Sequence, residues 1–219
     1  MACNLKHSNL YFTVDPLDGT KAFTRGQSHG IGTMISLVCD GAVIASAIGD
    51  INTQEIFYFR PDSEKVHRLF VNPEMHQELL INTNSKIQEQ HVLLRDPIDA
   101  YQSTAIKNLM NQQNDSPLKY SIAGGSIGIM MARLWKSEVG AVILQPGIQT
   151  PWDFTPIFGI SQKMGFEFYE VIESKDNVKL RTITSVGTEN WTIPNTIIVA
   201  HNNCYEELLY LFNRGTNEK

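Results

Sequence analysis

Five strand-like stretches follow one another between Leu10 and Phe70, the last four joined by short turn-rich links, and this confines the first third of the chain to a sheet of sequence neighbours. Leu10 to Val14 reads as the first strand. Gly32 to Cys39 and Ala42 to Ala47 form a hairpin closed by Asp40-Gly41, a pair suited to the positive φ of a tight hairpin turn. Gln54 to Phe59 and Lys65 to Phe70 flank a second turn at Pro61-Asp62-Ser63. Such a meander is mainly antiparallel, because short connections reverse the chain direction at each step.

The pattern then changes. His91 to Arg95 reads as a strand, Tyr101 to Met110 as a helix, and 111–117 as a polar loop that divides two lobes, 1–113 and 114–219, of one compact unit. Helices over Ser126 to Lys136, Asp153 to Met164 and Cys204 to Phe212 alternate with strands over Val139 to Leu144, Glu167 to Ile172 and Thr196 to Ala200. The expected class is α+β: an antiparallel first sheet and an α/β second half in layers.

Composition restricts the partners. With 219 residues, 42% of them hydrophobic, the chain can bury a sizeable core. A net charge of -5 argues against a nucleic-acid polymer as partner, since phosphate backbones are held by clustered Lys and Arg. No apolar run approaches the roughly 20 residues needed to cross a bilayer, and the first residues lack the apolar core of a secretory signal, so a cytoplasmic location without membrane partners is expected. Cys3, Cys39 and Cys204 are odd in number and widely spaced, which suggests free thiols. His7, His29, His67, His76 and His91 show no metal-ligand spacing.

The chemistry concentrates in Asp15-Pro16-Leu17-Asp18-Gly19-Thr20. Pro16 fixes its own φ and keeps Asp15 extended, so a strand ends there in a turn. Two carboxylates three residues apart can converge, with the Leu17 carbonyl between them, as hard oxygen ligands for Mg²⁺ or, alternatively, Mn²⁺. Gly19 admits a ligand close to the backbone, and Thr20 adds an amide and a hydroxyl for a phosphate. Asp96-Pro97-Ile98-Asp99 repeats the first half of the pattern without Gly-Thr and reads as a turn opening a helix.

Downstream, Trp152-Asp153 stands at a helix start, where Asp is by itself a common cap. D-P-L-D-G-T followed by W-D, with Gly124-Gly125-Ser126 opening a helix between them, resembles the inositol monophosphatase-like superfamily of metal-dependent, lithium-sensitive phosphatases, from about Leu10 to the chain end. The resemblance implies a layered αβαβα sandwich in which Asp15, Asp18, the Leu17 carbonyl and Asp153 hold metal. Gly19 and Thr20 would contact phosphate through their amides, Thr20 would help position the attacking water, and Ser126 would contact substrate. Lys21 and Arg25 are similar to the branch acting on nucleotide 3'(2'),5'-bisphosphates, where cations beside a phosphate nest hold a second phosphate. The implied partner is a small phosphorylated metabolite. The family's upstream Gly-Glu-Glu-like segment and its preceding helices have no counterpart here, since residues 1–14 contain no Asp or Glu. The chain therefore looks N-terminally shortened, and self-association into a homodimer could cover the apolar surface this leaves.

Two other readings stand beside this one. A catalytically impaired relative would bind metal and phosphate without turnover. A serine hydrolase would use Ser126 within Gly124-Gly125-Ser126-Ile127-Gly128, with Asp153 or Asp176 and then His201.

Overall fold

The computed structural model describes residues 9–81, 85–111, 118–175 and 177–214. The boundary at 113/114, most of the 111–117 loop, Cys3, His7 and Asp176 lie outside the described residues. The meander is present and gains a strand. β1 (Leu10–Asp18), β2 (Gly32–Cys39), β3 (Ala42–Asp50), β4 (Glu55–Phe59), β5 (His67–Val71) and β6 (Glu74–Glu78) form one antiparallel sheet in sequence order. β6 was not expected, because Glu-Met-His-Gln-Glu carries no apolar alternation; as an edge strand with exposed side chains it needs none. A short helix, α1 (Thr20–Thr24), follows β1.

Next come β7 (His91–Leu94), α2 (Thr104–Met110), β8 (Lys119–Ile122), α3 (Ile127–Trp135), β9 (Ala141–Leu144), β10 (Gly147–Gln149) and α4 (Pro151–Lys163). The chain continues through β11 (Phe166–Glu173), β12 (Val178–Thr182), β13 (Trp191–Ile193), β14 (Ile197–His201) and α5 (Tyr205–Asn213). The second sheet runs β12-β11-β14-β9-β7-β8 and is mixed: β7 pairs in parallel with β8 and β9, the rest antiparallel. β10 and β13 make a separate two-stranded ribbon. Asp96-Pro97 leads into a 3-10 turn at Ile98–Ala100 rather than straight into a helix; α2 starts later, at the Ser103 cap, whose side chain accepts from the Ile106 amide.

The two sheets sandwich α3 and α4. One apolar core contains Met34, Ile48 and Phe57 of the first sheet, Trp135 and Phe154 of these helices, and Leu93, Val142 and Phe168 of the second sheet. A second core, with Val92, Leu94, Ile143 and Ile198, packs the far face of the second sheet against α2 and α5. The layers are thus sheet, helices, sheet, helices. Among the described residues no helix layer covers the outer face of the first sheet. Along β1 and β2 the inward residues Met34 and Val38 are buried, whereas their outward neighbours Phe12 and Ile35 are 64% and 40% exposed. Among the described residues no helix is long and apolar enough to cross a membrane. Cys204 is a free, buried thiol as expected, but Cys39 is disulfide-bonded, which corrects the expectation of a free thiol there.

Chain direction in the second sheet creates a crevice. After β7 the chain passes to α2 on the outer side, whereas after the adjacent β9 it passes to α4 between the sheets. Adjacent parallel strands whose connections leave on opposite sides open a gap beyond their carboxyl ends, where α/β proteins bind ligands.

Candidate metal and phosphate site

Pro16 interrupts the β1–β2 ladder, whose register shifts between Asp15 and Asp18 because proline has no N–H to donate. Side chains then set the turn. The Asp15 carboxylate accepts from the Leu17 amide at 2.9 Å, and the Thr20 hydroxyl donates to the Leu17 carbonyl at 3.1 Å. Gly19 lies in the left-handed region with φ 86°, and a Cβ there would stand 2.1 Å from the Gly30 carbonyl oxygen and 2.8 Å from the Ser126 nitrogen. Only glycine lets these three backbone segments meet. The Ser126 amide donates to that same Gly30 carbonyl at 2.8 Å, so the acidic turn is locked to the start of α3.

Asp18 completes the lock. It is 5% exposed and accepts hydrogen bonds from the Ser126 hydroxyl and from the Gly128 amide at 2.9 Å, at the positive end of α3. Burial raises its pKa, these hydrogen bonds oppose the rise, and the Asp153 charge adds to it. Ser126 also caps α3 by accepting from the Ile129 amide at 3.0 Å. At 1% exposure, its side chain is turned toward Asp18 and it is not part of the cavity wall.

Asp153 lies in the first turn of α4 and accepts from the Thr150 hydroxyl at 2.6 Å. Burial raises its pKa and the nearby Asp15 carboxylate adds to the rise, while the Thr150 hydrogen bond and the Arg95 charge oppose it. One oxygen from each of Asp15, Asp18 and Asp153 falls within 4.8 Å of the others. Three partly dehydrated carboxylates so close repel one another, and a divalent cation relieves both the repulsion and the lost hydration. All are hard oxygen donors, so the site fits Mg²⁺ or Mn²⁺.

The cluster opens into a cavity of about 620 Å³. Asp15, Leu17, Asp18, Gly19, Thr20 and Asp153 all line it, as do the exposed Lys21 and Arg25. Arg95 and Asp96 also line it. Neither was singled out from the sequence as part of a site, because only the β8-β7-β9 strand order brings the end of β7 to this gap. The residues of the serine-hydrolase reading are not assembled in this way. Ser126 is engaged with Asp18, while the His201 ring packs edge-on against Phe166 at 5.6 Å and hydrogen-bonds Asn203 at 2.7 Å.

Comparison with known proteins bears on the fold and the family. No curated protein sequence matches the chain. The fold is similar to inositol monophosphatase-II from Staphylococcus aureus MSSA476, with a TM-score of 0.66 and 15% identity over 94% of this chain and 68% of that one. It is also similar to 2'AMP-bound SaIMPase-II (TM-score 0.66, 16% identity, covering 96% and 71%). An IMPase/NADP phosphatase complexed with Mg²⁺ and phosphate gives a TM-score of 0.67 at 15% identity, covering 96% and 69%. The sequence profile described as the Inositol monophosphatase family matches residues 2–211, nearly the whole chain. This protein belongs to the inositol monophosphatase family.

Proposed function

We propose that the protein hydrolyses a small phosphate monoester, inositol monophosphate-like or nucleotide 3'-phosphate-like, with Mg²⁺ as cofactor. The convergence of Asp15, Asp18 and Asp153 on one cavity is the observation that carries this reading. Asp15, Asp153, Asp18 and the Leu17 carbonyl would hold the metal, with Mn²⁺ as an alternative. When bound, the metal supplies Lewis-acid activation of water and charge neutralisation on the ester.

The chain's own residues supply the positioning. The Gly19 and Thr20 amides form the phosphate cradle, and Lys21 adds a positive charge at its rim. The Thr20 hydroxyl has its proton committed to the Leu17 carbonyl, which leaves its lone pairs to accept a hydrogen bond from the attacking water. No protein nucleophile is required, and this agrees with the engagement of Ser126 by Asp18. Structural neighbours complexed with 2'AMP, and with Mg²⁺ and phosphate, support a small phosphorylated metabolite as substrate.

The test is phosphate release from inositol monophosphate, 3'-phosphoadenosine 5'-phosphate and fructose 1,6-bisphosphate, with and without Mg²⁺ and Li⁺. Turnover that requires Mg²⁺ and falls with Li⁺ is expected. Mg²⁺ binding by calorimetry without turnover of any ester would identify the catalytically impaired relative instead. Absence of both would defeat the site assignment.

A further inference from the structure

The outward positions of β1 to β4 carry no Asp, Glu, Lys or Arg, although an antiparallel sheet with one face in water ordinarily places polar side chains there. Register makes the apolar residues continuous. Phe12 pairs with Leu37 and Leu37 with Ala45, while Ile35 pairs with Ala47 and Ala47 with Tyr58. The strands thus have the pattern of a sheet covered on both faces, and a contiguous exposed apolar patch of this kind marks a contact surface. The patch has a border. On β6, Glu74, His76 and Glu78 stand opposite Val71, Leu69 and His67 and give that edge the polar character of an interface rim.

Size and shape narrow the occupant. Strands β1 to β5, spaced about 4.8 Å apart, make a surface about 24 Å wide, whereas a lone helix is about 10–12 Å across and would leave half of it wet. β1 to β3 are eight or nine residues long and β4 and β5 five. At about 3.3 Å per residue the flat face amounts to about 550 Å² before side-chain relief is added, within reach of the roughly 800 Å² per partner of a standard stable interface. The relief is self-complementary. Phe12, Ile35 and Leu37 form a ridge on β1 and β2, Ile56, Tyr58 and Leu69 another on β4 and β5, and Ala45 and Ala47 leave between them a groove of about 430 Å³ along β3. A second copy offers the same ridge and the same twist, so two such sheets can pack face to face with their side chains interdigitated.

We propose that this face is a homodimer interface in which two copies pack their first sheets together about a two-fold axis, the β1–β2 ridge of each seated in the β3 groove of the other. The acidic cavity stays open in such a dimer, because Asp15 pairs with the buried Met34 and so projects from the opposite face of β1. The interface is independent of whether the site hydrolyses an ester.

The experiment is sedimentation velocity of the full chain from about 1 to 100 µM, a range that brackets micromolar association. It is run beside Ala47→Glu and Ile35→Ser in the face, and beside Tyr210→Glu, which alters an exposed aromatic on α5. At the upper concentrations the wild type should sediment at twice the 24.7 kDa mass of one chain. Ala47→Glu buries an unpaired carboxylate at the centre of the contact and should weaken dimerisation about hundredfold or more. Ile35→Ser should weaken it about tenfold, and Tyr210→Glu should leave it unchanged. Hydroxyl-radical labelling of Phe12 and Tyr58 in the wild type should fall in step with dimer formation. A monomer throughout this range overturns the proposal and leaves the face to a partner of different sequence. A dimer that both face variants leave intact overturns it as well, and so does growth into open-ended assemblies, which a closed two-fold contact forbids.

Discussion

Replacing Ser126 with alanine separates a scaffold role from a substrate contact. The Ser126 hydroxyl makes two hydrogen bonds, donating to the buried Asp18 carboxylate and accepting from the Ile129 amide at the start of α3. Loss of an N-cap costs about 1 kcal/mol. Loss of a hydrogen bond to a charged acceptor costs about 1.5–3 kcal/mol. Asp18 keeps its bond from the Gly128 amide, and both losses come from one group, so a total of about 2–4 kcal/mol is expected. Urea denaturation in metal-free buffer measures it as a lower midpoint at unchanged slope. Mg²⁺ affinity should fall as well, by about 10–100-fold, because Asp18 loses a group that orients it. A variant within about 0.5 kcal/mol of wild type, with KM raised and metal affinity intact, would refute this reasoning and return Ser126 to the substrate pocket.

Asp153→Asn should act in opposite directions on two properties: weaker Mg²⁺ binding by calorimetry, and a metal-free fold that melts higher by on the order of 1 kcal/mol, since a neutral amide removes repulsion from Asp15. Gly19→Ala should leave little folded protein in circular dichroism, because its Cβ would collide with backbone at Gly30 and Ser126 rather than with a movable side chain. Phe12→Ser, on the exposed outer face of the first sheet, should cost less than about 1 kcal/mol in urea titration while reducing light scattering at high concentration. Burial raises the Tyr101 pKa to about 12, so the folded state keeps this proton where the unfolded chain releases it. The Tyr101 contribution is fully present below pH 10 and is lost as pH rises toward 12; stability at pH 9 and pH 11 should differ less in Tyr101→Phe than in wild type.

The acidic turn was legible because its information is local. Proline, two aspartates and a glycine within five residues dictate a turn with converging oxygens, whatever surrounds them. Asp153 was not legible in this way: alone at a helix start it reads as a cap, and only the family resemblance paired it with the acidic turn. The meander followed from alternation in β2 and β3, where one face is buried and the other is not. The placement of the Ser126 side chain was not legible, because a serine before a helix looks the same whether its hydroxyl faces a ligand or a buried carboxylate 108 residues earlier. Arg95 and Asp96 were missed for a different reason. Their membership in the site depends on which strands flank β7, and nothing within a few residues of them encodes that order.

The three clustered carboxylates come from separate parts of the architecture: Asp15 and Asp18 end a strand of the first sheet, and Asp153 begins a helix of the layer beneath it. An ion bound there joins those layers, and it can do so only while they are docked. Occupancy and folding are then linked equilibria, with saturation at a hundred times the dissociation constant adding about 2.7 kcal/mol. Free divalent-ion concentration should therefore govern how long this protein survives unfolding and proteolysis, independently of whether any ester is being cleaved.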